Sequence, residues 1–132
     1  MLTRLAIRNI VLIEALELEF SGGLGVLTGE TGAGKSILLD ALGLVLGDRA
    51  ESGLIRAGED SASVSASFEF SVLPPPISAI LTEADLTVEP GEPLILRRQL
   101  KADGASKAFI NDQPVGVALL RELAPLLVEL HG

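Results

Sequence analysis

An α/β fold with a mixed sheet is the reading this sequence supports, on three observations. Residues 24–28, Leu-Gly-Val-Leu-Thr, form a short apolar run that reads as a buried strand. Residues 37–46 are apolar nearly all round and read as a buried helix. Between them stands Gly29-Glu30-Thr31-Gly32-Ala33-Gly34-Lys35-Ser36. It fits G-x-x-x-x-G-K-[ST], the phosphate-binding loop whose required setting is strand, glycine loop, helix.

The chemistry of that stretch starts from the backbone. A helix N-terminus leaves its first amides without intrahelical partners, and the aligned peptide dipoles put partial positive charge there. Gly29, Gly32 and Gly34 lack a Cβ, so the loop can curl with its amides inward and phosphate oxygens can approach closely. Lys35 is placed to reach the β- and γ-phosphates, and Ser36 to ligate Mg²⁺. Glu30, Thr31 and Ala33 contribute backbone, with the Glu30 carboxylate expected to point outward. The competing reading is a glycine-rich turn that binds nothing.

The 132 residues suit one domain that buries roughly two thirds of its unfolded surface. Hydrophobic residues make up 48%, enough for a core and too many for a disordered chain. With four Phe and no Trp or Tyr, an aromatic platform for stacking bases is not expected. The absence of Cys excludes disulfides and thiolate-held metal and fits a reducing compartment. Charged residues Arg4, Arg8, Glu14, Glu17 and Glu19 interrupt the apolar N-terminus, so it is no signal peptide, and no apolar run reaches transmembrane length. The formal net charge of −8 argues against a broadly basic nucleic-acid face. Arg4 with Arg8, and Arg97, Arg98, Lys101 and Lys107, are local basic clusters, read first as solvated strand faces.

In chain order, residues 2–9 alternate as a strand with one buried face, and residues 11–20 give a second. Ser21-Gly22-Gly23 is a turn, and the strand, loop and helix described above follow. Gly47 falls near the C′ position of that helix. Residues 50–60 form a loop containing Leu54-Ile55-Arg56. Residues 61–70 alternate as a strand, and Pro74-Pro75-Pro76 cannot continue a ladder. A short helix over 77–82, a turn-rich stretch over 86–93 and a strand over 94–102 come next. Asp103-Gly104 is a turn, 106–111 a strand, and Asp112-Gln113 a tight turn. A helix from Val115 to about Leu123 is then limited by Pro125, and 126–130 reads as a final buried strand. These hairpins beside a glycine-loop helix are not the strict βαβ alternation of a small nucleotide kinase.

Several stretches together resemble the N-terminal head segment of the RecN family of bacterial DNA repair proteins, in the SMC-like branch of ABC ATPases. They are Leu5-x-Ile7-Arg8-Asn9, residues 28–50, Leu96-Arg97-Arg98, residues 107–111 and residues 127–132. The resemblance covers essentially the whole chain. It implies the P-loop lobe of a head with an antiparallel β-subdomain, completed by a sequence-distant half that bears the signature motif and the Walker B acid. It further implies ATP with Mg²⁺ as ligand, a coiled coil, head-to-head homodimers, DNA as partner, no membrane, and a cytoplasmic place at the bacterial nucleoid. In the family a Gln follows His-Gly and helps position Mg²⁺ and water; residue 132 is the last here.

Within the resemblance, Arg56 corresponds to an arginine near the nucleotide, and Arg8 and Asn9 end the first strand near it. Arg49 is a weaker candidate of the same kind, Asp40 could stand behind Mg²⁺ or simply on the helix surface, and a lone His131 makes no metal site. No apolar strand ends in Asp-Glu, and Ser21-Gly22-Gly23 imitates a signature only in a turn. The expected activity is therefore ATP binding, with hydrolysis requiring the other half. Two alternatives stand beside it: a self-contained small P-loop kinase, and a non-catalytic module whose loop is vestigial.

Overall fold

A computed structural model describes residues 2–19, 32–49, 52–89 and 91–129. Among these, six strands form one sheet in the order β2-β1-β3-β4-β5-β6, and every pairing is antiparallel. The strands are β1 (Leu2–Ile10), β2 (Ile13–Glu19), β3 (Ser61–Phe68), β4 (Leu94–Lys101), β5 (Ser106–Ile110) and β6 (Gln113–Val115). Three helices accompany them: α1 (Gly32–Val45), α2 (Pro75–Glu83) and α3 (Val117–Glu129). The expected strand over 24–28 and the turn before it lie outside the described residues.

The sheet is two-faced because its strands alternate. In β3 the residues Ala62, Val64, Ala66 and Phe68 are buried, while the serines between them face the other way. In β4 the buried set is Leu94, Leu96, Arg98 and Leu100. The register sets Val64 beside Arg98 and Ala66 beside Leu96, so these sets share one face. In β1, Leu2, Leu5 and Ile7 are all buried although Leu2 has the opposite parity to the others. A bulge between Leu2 and Arg4 inserts Thr3 and turns Leu2 inward.

Turn chemistry fixes two of the hairpins. Asn111 and Asp112 both take positive φ, 47° and 67°, as a two-residue turn between Ile110 and Gln113 demands. The turn expected at Asp112-Gln113 is thus one residue earlier, and Gln113 begins β6, because Asn and Asp tolerate the left-handed region that Gln disfavours. Asn111 Oδ1 also accepts the Ile95 amide at 2.7 Å, tying this turn to the start of β4. The β1–β2 turn is held from outside. Val11, at φ 49°, donates its amide to Leu54 O at 2.8 Å, and Ile10 bridges Ile55.

The sequence reading of the C-terminal stretch is overturned. Residues 126–129 continue α3 rather than forming a strand. Leu120, Leu123 and Leu127, spaced i, i+3 and i+7, are all buried on one side, and that helical periodicity outweighs the proline. Pro125 is exposed, so the Arg121 carbonyl that it leaves without an amide lies on the solvent side. The prolines after β3 start a helix instead of only ending a strand: α2 opens at Pro75, earlier than expected, because proline suits the first helical positions. No helix among the described residues is long and apolar enough to cross a membrane.

Candidate functional site

The glycine motif enters the structure at Gly32, which opens α1. Gly29, Glu30 and Thr31 lie outside the described residues, while Gly32, Ala33, Gly34, Lys35 and Ser36 make the first turn and a little beyond. The helix thus begins inside the motif, earlier than the 37–46 of the sequence reading, and its first-turn amides belong to residues 32–35. Those amides have no acceptor within the helix. No acidic side chain stands in that first turn to occupy them.

The rest of α1 is anchored to the buried face of the sheet, over β1, β3 and β4. Leu38, Ala41, Leu42, Leu44 and Val45 are buried there. The helix is not buried all round. Leu39 is 47% exposed and Asp40 is exposed beside it, so one flank of α1 is open. Asp40 is a surface residue of that flank.

At the far end, α1 is closed by its own chain. Gly47 adopts φ 104°, its amide donates to Leu44 O at 3.1 Å, and the Asp48 amide donates to Gly43 O at 3.0 Å. This is the paired Schellman closure that glycine at C′ permits. A Cβ at Gly47 would stand 2.5 Å from Arg121 Cγ and 3.0 Å from the Arg121 backbone nitrogen, so the glycine also lets α3 pack on the end of α1.

Arg98 completes this closure. Its Nη1 donates to Leu44 O and to Asp48 O, both at 2.9 Å, and its Nε donates to Ser106 Oγ at 2.8 Å. Only 3% of the residue is exposed. Burial, then the charge of Arg121, lower its pKa from the ordinary arginine value, and Asp48 works against them. A guanidinium on the last carbonyls of a helix also meets the negative end of its dipole. The basic cluster of β4 and β5 is therefore not uniformly a solvated face. Arg98 points inward, and Arg97 stacks over the Phe109 ring at 4.3 Å and pairs with Asp112 at 3.6 Å on the other side. The strand Leu-Ile-Leu-Arg-Arg-Gln-Leu-Lys carried the signal, since Arg98 shares parity with Leu94, Leu96 and Leu100.

The remaining sequence candidates group at one end of the sheet. The Arg56 amide donates to Asn9 O at 2.7 Å, and its Nη1 donates to Leu12 O at 2.8 Å, clasping the β1–β2 turn. Asn9, at φ 54°, donates Nδ2 to Ser61 O at 3.3 Å. Asn9 and Arg56 are thus brought together. Arg8 is exposed next to buried Ile7, so it projects from the face opposite α1. Arg49 follows the closure of α1 and is exposed. Arg4 pairs with Glu17 across β1 and β2. His131 lies outside the described residues. No group of His, Cys, Asp or Glu among the described residues could hold a metal.

Residues 4–113 match the family described as AAA domain. The chain is 47% identical over 132 residues to DNA repair protein RecN of Vibrio cholerae serotype O1, and 45% identical over 134 residues to that of Haemophilus influenzae. Each match takes in the whole chain but only 23% and 24% of those relatives, so the chain spans about a quarter of their length. Among solved structures, the SMC head domain from Thermotoga maritima superposes with a TM-score of 0.63 at 24% identity, over 92% of this chain and 41% of that one. A structure from work on ATP-driven dimerization and DNA-stimulated activation of SMC ATPases gives 0.68 at 21% identity, over 96% and 79%. The fold is that of an SMC head's P-loop lobe. The chain belongs to the AAA domain family, and along its length it matches the N-terminal region of RecN.

Proposed function

We propose that this chain is the ATP-binding lobe of a RecN-like ATPase that acts in DNA double-strand break repair and recombination. The observation that carries the proposal is the start of α1 at Gly32, inside Gly29-Glu30-Thr31-Gly32-Ala33-Gly34-Lys35-Ser36. First-turn amides without an acceptor inside the helix, and two glycines at the head of an anchored helix, suit a phosphate chain. Gly29 to Ser36 would hold the phosphates, with Lys35 supplying the cation and Ser36 the Mg²⁺ ligand. Mg²⁺ supplies charge neutralisation of the phosphate oxygens. Asn9 and Arg56, already joined at the β1–β2 turn, are the supporting candidates, with Arg56 offering further donors beyond the one given to Leu12 O.

The reading extends to assembly. The 47% exposure of Leu39 beside Asp40 leaves a flank of α1 for the other half of the head. Hydrolysis requires that half and a head-to-head dimer in the full-length protein, which works on DNA in the cytoplasm and not at a membrane. This chain alone binds nucleotide and turns over little.

The test is calorimetry of Mg-ATP with the chain and with Lys35→Ala. Loss of one charge-assisted contact, about 1.5–3 kcal/mol, weakens binding roughly ten- to a hundredfold. Unchanged affinity would remove the phosphate-loop assignment. Robust turnover by this chain alone would instead favour a self-contained P-loop enzyme.

A further inference from the structure

The C-terminal end of α1 also gathers cationic side chains, and they have no place in the reading above. An open cleft of about 630 Å³ lies where the last turn of α1, the β4–β5 hairpin and the first half of α3 meet. Arg49, Arg98 and Arg121 all line it, with Asp48 and Ser106. In a chain with a net charge of −8, this concentration of cations is local and unshared. Among the described residues none of the three arginines makes an ion pair.

Asp48 offsets part of this charge at Arg98 but forms no ion pair with any of the three. Its carboxylate is folded back against α1, so close that a Cβ at Gly43 would stand 2.3 Å from Oδ2. Arg98 has five N–H donors. Its Nε and Nη1 are spent on Ser106 Oγ, Leu44 O and Asp48 O, and among the described residues Nη2 has no acceptor. The Nη2 donors belong to a side chain that is 97% buried, in a wall of the cleft, where an unmatched donor carries a desolvation cost. Ser106 Oγ, having accepted from Arg98, still has its own O–H to give. Arg121 stands near enough for its charge to disfavour the charged form of Arg98, a repulsion that an anion between them relieves. Its stem is held over Gly47, which has no Cβ to push it away.

We propose that this cleft is a second anion site, which takes a phosphate group between Arg98, Arg121 and Arg49 with Ser106 as a neutral donor. It lies at the opposite end of α1 from the glycine motif, about 20 Å away along a helix of 14 residues. Arginine forks match the geometry of phosphate oxygens, and three of them exceed what a single carboxylate needs. The phosphate belongs either to a free phosphate compound or to a nucleic-acid backbone.

The experiment uses the chain with Lys35→Ala, so that binding at the glycine motif is weakened, and inorganic pyrophosphate as probe in calorimetry. The expected result is saturable binding that Arg121→Glu weakens about tenfold or more, and Arg49→Glu likewise. Arg97→Glu, on the opposite face of the sheet, leaves it unchanged. Both reversed positions are exposed, and amide spectra of the chain without them changed provide a second readout: pyrophosphate shifts Gly104 and Ser106. A short oligonucleotide that displaces the probe assigns the phosphate to nucleic acid, and one that does not assigns it to a free compound. Binding that is absent, or equal with and without Arg121→Glu, overturns the proposal. The site stands or falls independently of nucleotide binding at residues 29–36.

Discussion

The N-terminal and C-terminal ends of α1 face the same problem and solve it in opposite ways. Every helix leaves four amides and four carbonyls without partners at its ends. At the C-terminus this chain satisfies them from within. Gly47 and Asp48 fold back onto Leu44 and Gly43, and Arg98 caps Leu44 from the sheet below. At the N-terminus it supplies glycines and no acidic side chain in the first turn. A closed end is a structural joint, and a glycine-rich end without acidic side chains in its first turn suits a ligand. Glycine serves both ends, as a left-handed hinge at Gly47 and within the first turn at Gly32 and Gly34.

This contrast can be broken most severely at Arg98. Arg98→Ala removes the donor to Asp48 O and Ser106 Oγ and the second donor to Leu44 O, which keeps only the Gly47 amide. The expected loss is about 3–5 kcal/mol in urea unfolding, because charge-assisted bonds and buried acceptors are lost together. A loss below about 1 kcal/mol would show that the closure does not depend on the arginine. Gly47→Ala comes next, at about 2–3 kcal/mol in the same assay. The substitution adds a Cβ against the Arg121 backbone at a positive φ.

At the other end the order of effects reverses. Gly34→Ala is expected to hold or gain stability, by up to about 1 kcal/mol, since Ala is the better helix former. Its Mg-ATP affinity should nonetheless fall in calorimetry, because a Cβ intrudes where backbone meets phosphate. If stability and affinity moved together, the two ends would not differ in kind. The smallest effect is expected at Arg56→Ala, which removes one exposed bond to Leu12 O and should cost about 1 kcal/mol in urea unfolding.

The sequence disclosed the two ends of α1 unequally. The glycine motif and Gly47 were legible because each is a local signal: a fixed spacing in one case, a glycine after an apolar run in the other. The alternating strands were legible for the same reason, and β1 and β3 to β5 fall within two residues of their expected places. Arg98 was misread because a charged residue in an alternating strand is expected outside, and what draws it inward is a helix end 54 residues earlier in the chain. α3 was cut short at Pro125 because a local breaker was weighed without Leu127, whose burial against the core is non-local. The joining of Asn9 to Arg56 likewise depends on a β1–β2 turn held from outside by residues 54–56.

Amide hydrogen exchange addresses the difference between the two ends most directly. Without ligand, the amides of Gly47 and Asp48 should be protected, since both donate within the chain, whereas those of residues 32–35 should exchange freely. Mg-ATP should protect residues 32–35 in the chain and fail to do so at the same concentration in Lys35→Ala. First-turn amides already protected without nucleotide, or unchanged by it, would contradict the account.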